Sequence, residues 1–179
     1  MASARIIALF GAATLALQAQ VAQAQQQCFS EDEVSAAFVY AMPGVIEGVT
    51  TRCSPSLGSS SFLAREGRTM SARYRAQQST AWPKARTALL KMVGNVSKTG
   101  TSNNMLGFLN DVPGDTMRPL VDAMIVQEAS NRTKPEQCAK VDKLAAALAP
   151  LDPKSAGELL GAMFAVVEPN HPLVCVAKP

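Results

Sequence analysis

The sequence predicts an all-α protein, a disulfide-stapled bundle of about five helices in a single domain. Three observations predict this class. Apolar residues recur every three or four positions through most of the chain, strict strand-type alternation is missing, and four cysteines follow an export-type N-terminus. The chain has 179 residues, of which 47% are hydrophobic, so it is long enough to bury a core and too apolar for general disorder.

The N-terminus has the features of a secretory signal peptide. Arg5 precedes an apolar run over residues 6–17, and Ala22 and Ala24 fit the small-residue cleavage rule, which makes Gln25 the first mature residue. The apolar run is shorter than the roughly 20 residues that a membrane span needs. The sequence therefore predicts export, with a lipoprotein as the minor alternative.

The predicted organisation follows from that cleavage. Residues 1–24 are removed, and residues 25–179 form one helical domain with a C-terminal tail over 169–179. We expect no transmembrane span in the mature chain, because no later segment reads as a long uninterrupted apolar run. The short N-terminal region and the Ala- and Gln-rich cleavage site are typical of bacteria, so we expect a periplasmic or secreted protein.

The four cysteines predict two structural disulfides. Their spacing lacks the close pairs of a zinc site or a redox motif. The first expected pairing is Cys138–Cys175 with Cys28–Cys53, because an antiparallel hairpin of the last two helices brings Cys138 and Cys175 to one end. This pairing requires the first helix to fold back at residues 42–44. If that helix is straight, Cys28–Cys175 with Cys53–Cys138, or the reverse cross, is expected instead.

The first helix begins at a capping box of Ser30 and Glu33, with acidic residues at the positive end of the helix dipole. Its apolar period runs to Cys53. Pro43 lies inside this pattern and is expected to kink or break the helix, because proline removes a backbone donor. The apolar positions are Val34, Phe38, Met42, Val45 and Val49.

A second long helical pattern follows a serine-rich loop. Pro83 lies inside it and either kinks one helix or starts another near Trp82, with Ser79 or Thr80 as the cap. A polar linker and a short apolar turn at 105–109 come next. The apolar stripe of the long pattern comprises Leu63, Met70, Tyr74, Ala81, Ala85, Leu89 and Met92.

Three further helices are predicted by their start signals. Asp115 caps the first, a capping box of Thr133 and Glu136 starts the second, and Asp152 with Pro153 starts the last. The short connection between the last two helices favours a helix hairpin. The expected inner face of the first of these helices comprises Met117, Leu120, Val121, Met124 and Ile125. That of the second comprises Cys138, Val141, Leu144, Ala145 and Leu148. That of the last comprises Ala156, Leu159, Leu160, Met163, Phe164 and Val167.

The most unusual feature of the composition is a basic stretch over residues 65–98, which carries eight basic side chains and one acidic side chain. On a helix these bases lie opposite the apolar stripe. They predict either a solvated face paired with acids elsewhere or a site for an anionic partner, such as lipopolysaccharide phosphates, anionic lipid head groups or an acidic protein. The candidate contacts are Arg65, Arg68, Arg73, Arg75, Lys84, Arg86 and Lys91.

Motifs for catalysis, nucleotides, cofactors and metals are missing from the sequence. The single histidine, His171, lacks a companion nucleophile, and aromatic residues for stacking nucleic-acid bases are scarce. We therefore expect no enzyme, no cofactor and no nucleic-acid partner. The methionines at helical spacing indicate core packing, or alternatively an adaptable apolar groove. They are Met70, Met92, Met117, Met124 and Met163.

Two functions are therefore expected. The first is a non-enzymatic exported protein that binds an anionic envelope component or an acidic partner through the basic stretch. The second is a chaperone-like or lipid-binding module with a methionine-rich apolar groove.

Overall fold

Helices account for most of the computed structural model, which describes residues 28–97 and 113–167. These residues form six α-helices and no β-strand, which confirms the predicted class. The predicted signal peptide, the expected turn at 105–109 and the expected tail with His171 lie outside the described residues. The helices are α1 (Glu31–Cys53), α2 (Phe62–Arg75), α3 (Gln78–Ser97), α4 (Gly114–Arg132), α5 (Cys138–Leu148) and α6 (Pro153–Val167).

Two of the predicted helix starts are confirmed in atomic detail. The Ser30 amide donates to Glu33 Oε2 at 2.8 Å, and the Glu33 amide donates to Ser30 Oγ at 3.1 Å. At the start of α6, Asp152 Oδ1 accepts from the amides of Lys154 and Ser155 at 3.1 and 3.0 Å. The hydrogen bonds from Ser155 hold the pKa of the Asp152 carboxyl below its usual value.

The start signals predicted at Asp115 and at Thr133 differ from the observed helix starts. Helix α4 begins at Gly114, so Asp115 lies in the first turn and not at the cap. The Thr133 hydroxyl donates to the carbonyl of Ala129, so it closes the end of α4. A short 3₁₀ turn (Pro135–Gln137) then leads into α5. The capping contact lies one residue later than predicted, with the Lys134 amide donating to Gln137 Oε1 at 3.0 Å.

Helix α1 is the central element of the bundle. It packs against α2, α3, α4 and α6, while α5 packs against α2. Of the kink or break expected at Pro43, the break is wrong, since α1 continues through this buried proline to Cys53. Packing on four sides of one helix outweighs the single missing backbone hydrogen bond.

The continuity of α1 bears on the expectation that the mature chain has no transmembrane span. Among the described residues, α1 is long and apolar enough, by length and composition alone, to cross a bilayer. A core helix passes the same test, and half of the apolar window of α1 is buried against its neighbours. With a break at Pro43, the two halves of this helix would each be too short to cross a bilayer.

Two clusters of buried side chains form the core. The larger one joins α1, α2, α5 and α6 around Met70 and Tyr74. The smaller one joins α1, α3 and α4 around Trp82 and Met117, with the rings of Tyr40 and Trp82 only 4.7 Å apart. Burial raises the pKa of both the Tyr40 and the Tyr74 hydroxyls, so both stay neutral at physiological pH.

The faces that α4 and α6 turn towards α1 match the expected ones only in part. Met117 and Ala156 are buried, and Val121 and Ile125 pack against the smaller cluster. Leu120 and Met124 are 58% and 70% exposed, and Leu159 and Met163 are about half exposed as well. Helix α4 approaches α1 with its Ile125–Ser130 side, because glycines on α1 leave room there. Small residues at the crossings, and not the largest apolar ones, therefore set the rotation of these helices.

The disulfide pattern corrects the first expected pairing. Cys53 is bonded to Cys138, with Cα atoms 5.4 Å apart, so the alternative for a straight first helix holds at this bond. Cys28 is disulfide-bonded as well. Cys175 lies outside the described residues. The continuous α1 of 23 residues separates Cys28 from Cys53, which is why they do not pair.

Two expectations about neighbouring helices are also corrected. The long basic pattern is two helices, which separate at residues 76–77 and not at Pro83. The expected hairpin of α5 and α6 is not formed, since α5 packs on α2 and α6 packs on α1. The Cys53–Cys138 bond at the first residue of α5 ties this helix to the far end of α1.

Candidate functional site

The basic stretch lies on two helices, and much of it is paired with the acids of α1. Lys91 Nζ contacts the two carboxylate oxygens of Glu33 at 2.7 and 2.8 Å and also donates to the carbonyl of Cys28. Lys84 pairs with Asp32 at 2.5 Å, which lowers the pKa of that carboxyl. These pairs fasten α3 to the first turn of α1, so the two lysines serve the fold.

Two further bases are engaged elsewhere. Arg73 donates to the carbonyl of Ala149 at 2.7 Å, and Arg86 also makes contacts within the protein. By contrast, the side chains of Arg65 and Arg68 have no hydrogen-bond or ion-pair partner within residues 28–97 and 113–167. Both are exposed, one turn apart on α2. The basic stretch is therefore reduced to a smaller candidate, which is centred on Arg68.

Arg68 lines a groove between α1 and α2 with a volume of about 410 Å³. The groove runs along the seam where the two helices pack. Helix α1 supplies one wall and helix α2 the other, so both walls are rigid. The lining residues are Ile46, Glu47, Thr50, Thr51, Gly67, Arg68, Ser71, Ala72 and Arg75.

The charges of the groove are unequal. Arg75 lines it beside Glu47, and the two side chains form an exposed ion pair at 3.4 Å. Arg68 adds a positive charge that forms no ion pair with an acid of the described residues. Because water screens the exposed pair, the groove presents a net positive charge to a ligand.

Hydroxyl groups surround this charge. Thr51 and Ser71 line the groove, and so does Thr50, whose Oγ1 is buried without a hydrogen-bond partner. A buried hydroxyl without a partner is unfavourable by about 1–3 kcal/mol. Guanidinium and hydroxyl groups together are the donors that bind a carboxylate or a phosphate.

A second groove lies between α1, α3 and α6, with a volume of about 290 Å³. Its lining is wholly apolar, and Met92 and Phe164 on it are about half exposed. This groove contains one residue of the expected methionine set. It is lined by Phe29, Val34, Ala37, Phe38, Ala88, Met92, Leu160 and Phe164.

The methionine set separates into two kinds. Met70 and Met117 are buried in the two core clusters, as the core interpretation expects. Met92, Met124 and Met163 are more than half exposed. Only Met92 of these three lines a groove, so the methionines do not form one continuous apolar surface on the described residues.

The described residues offer little for acid–base or metal chemistry. They contain no group of three histidine, cysteine, aspartate or glutamate side chains that could hold a metal ion. The carboxyl groups with shifted pKa values, Asp32 and Asp152, are shifted downwards and stay ionised. A general acid would need the opposite shift.

Sequence reasoning found Arg68 and Arg75 but missed the rest of the groove. Glu47, Thr50, Thr51 and Ser71 carry no motif. The one available signal was Gly67, a glycine inside an otherwise helical pattern. No protein-family model, curated protein or solved structure matches the chain.

Proposed function

We propose that this is an exported, non-enzymatic helical protein that binds the anionic group of an envelope component in the groove between α1 and α2. The observation that carries the proposal is Arg68, an exposed cation that has no partner among residues 28–97 and 113–167 and lines a groove rich in hydroxyls. The shared chemistry of the ligand is a phosphate or a carboxylate group.

A periplasmic location is part of this proposal. The Cys53–Cys138 disulfide is weakly compatible with export, because such bonds persist in oxidising compartments. The envelope of a bacterium also exposes phosphates and carboxylates. The pairing of Lys84 and Lys91 with acids supports a site smaller than the whole basic stretch.

The test uses the mature chain with its disulfides intact and two kinds of probe. One is inorganic phosphate, measured by calorimetry. The other is a vesicle of phosphatidylcholine with phosphatidylglycerol, measured by sedimentation at low and high salt. Binding of free phosphate identifies a small anion, and binding of vesicles alone identifies a lipid head group.

The variant Arg68→Gln should weaken binding about 10- to 100-fold, since a charge-assisted contact is lost. Lys140→Gln is the matched control, because it removes an exposed charge on α5 outside the groove. It should change affinity less than about twofold. No binding of either probe, or equal binding by Arg68→Gln, would overturn the proposal.

The apolar groove favours a second candidate function, the binding of a hydrocarbon chain. A wholly apolar lining offers no polar partner to anything else. A hydrophobic dye should gain fluorescence on the folded protein and lose that gain in Met92→Gln. Met124→Gln, which changes an exposed methionine outside the groove, should keep it. A folded protein that leaves the dye dark would remove this candidate.

A further inference from the structure

The glycines inside the helices are of two kinds. Packing leaves two of them without an explanation, Gly67 and Gly94, and of these two only Gly67 lines the groove. A β-carbon at Gly44 would lie 2.9 Å from the Ile125 side chain, and one at Gly48 would lie 2.4 Å from the Val126 carbonyl. Such separations are too short for real atoms, so the crossing of α1 with α4 requires glycine at these positions.

Helix α6 shows the same requirement. A β-carbon at Gly157 would lie 2.6 Å from Ser35 Oγ, and one at Gly161 would lie 2.9 Å from the Glu31 carbonyl. Close packing against α1 therefore explains both glycines. All four of these glycines are needed for the fold.

Gly67 of α2 is different. A β-carbon there would lie 3.4 Å from Thr50 Oγ1, 3.8 Å from the Leu63 side chain and 3.9 Å from the Ile46 side chain, all ordinary contact distances. An alanine would fit and would favour the helix. Since packing does not require a glycine, the protein gives up helix stability at a position that lines the groove.

Thr50 faces Gly67 across the groove and gives up stability in another way. Its hydroxyl is buried without a hydrogen-bond partner, whereas a valine of the same shape would leave no polar atom unpaired. A threonine in a helix has two accessible side-chain rotamers, so rotation can turn this hydroxyl towards the groove. Two neighbouring positions that both reduce stability, beside the unpaired Arg68, are expected at a functional site.

We infer that Gly67 and Thr50 determine the specificity of the groove for a small oxyanion, a phosphate monoester or a carboxylate. The anionic group lies on Arg68, and one of its oxygens accepts a hydrogen bond from Thr50 in the space that Gly67 leaves open. This inference rests on the proposed function and adds a deep contact to it. A flat anionic surface would reach Arg68 but would have no use for that space.

The experiment compares Gly67→Ala and Thr50→Val with the unaltered mature chain, using thermal unfolding and calorimetry with inorganic phosphate. Both variants should unfold at the same or a higher temperature and bind phosphate at least about 10-fold more weakly. Gly94→Ala and Thr69→Val are the matched controls. The first changes a glycine of α3 with no neighbouring atom within 4 Å among the described residues, and the second changes an exposed threonine of α2.

The outcomes separate this inference from the function on which it rests. If Arg68→Gln loses phosphate and both groove variants keep it, the groove binds anions but the inference is wrong. Lower unfolding temperatures for Gly67→Ala and Thr50→Val would also overturn it, because the two native residues would then serve the fold. If Arg68→Gln binds phosphate as tightly as the unaltered chain, the proposed function itself falls.

Discussion

The crossing of α1 with α4 and the groove between α1 and α2 both contain glycine in a helix, yet for opposite reasons. At the crossing, Gly44 and Gly48 let two backbones approach so closely that no side chain fits. At the groove, Gly67 leaves open a space that a methyl group could fill. The same residue type therefore marks tight packing in one region and an unfilled site in the other.

The largest loss of stability is expected from a substitution at the crossing of α1 with α4. Gly48→Ala places a methyl group 2.4 Å from the Val126 carbonyl oxygen, which is backbone and cannot move aside. Overpacking of this kind costs about 3 kcal/mol, and the better helix propensity of alanine returns about 1 kcal/mol. We expect a net loss of about 2 kcal/mol in the free energy of unfolding by urea denaturation.

Gly94→Ala is the control, because it carries the propensity gain without the clash. It should be neutral or slightly stabilising. If Gly48→Ala were as stable as the unaltered chain, the crossing would be looser than described and the contrast with Gly67 would disappear.

The glycine crossings also explain which parts of the fold the sequence could predict. Helix class, the Ser30 capping box and the Asp152 cap follow from local rules, and the structure confirms them. Periodicity selects apolar residues by their spacing, so it assigned Leu120 and Met124 to the core. The structure leaves both exposed, because backbone approach at glycines decides the rotation of α4.

Pairing over long distances was out of reach for a similar reason. Whether Cys53 bonds to Cys138 depends on whether α1 continues through Pro43, which the surrounding helices decide. In the candidate groove, the charge of Arg68 could be read from the sequence. The absence of an acid facing it, and the unpaired hydroxyl of Thr50, exist only in the packed structure.

A smaller loss of stability is expected at the start of α2, which forms one wall of the groove. Polar contacts, and not a glycine crossing, stabilise this end of the helix. The carboxylate of Asp142 on α5 accepts from the amides of Phe62 and Leu63 at 3.2 and 2.7 Å, which caps the start of α2. Asp142→Ala should cost about 1–2 kcal/mol, a fall of about 3–6 °C in the midpoint of thermal unfolding.

The control for this variant is Glu66→Ala, which removes an exposed acid of α2 away from the cap. Its effect should stay within about 0.5 kcal/mol. An equal loss in both variants would mean that overall charge, and not the cap, stabilises this wall.

The smallest change in stability, and the sharpest change in the groove alone, is expected at the exposed pair of Glu47 and Arg75. Both side chains are more than half exposed, so the pair contributes at most about 1 kcal/mol to stability. Glu47→Gln removes the only acid that lines the groove in the described part of the chain, whereas Arg68→Gln removes a cation. We therefore expect Glu47→Gln to bind inorganic phosphate about two- to fivefold more tightly at low salt, because a nearby repulsion is gone. The gain should vanish at about 1 M salt, where the screening length falls to about 3 Å.

A loss of affinity in Glu47→Gln would mean that Glu47 positions Arg75 for the ligand. In that case the groove, like the crossing, would depend on a contact that must stay intact.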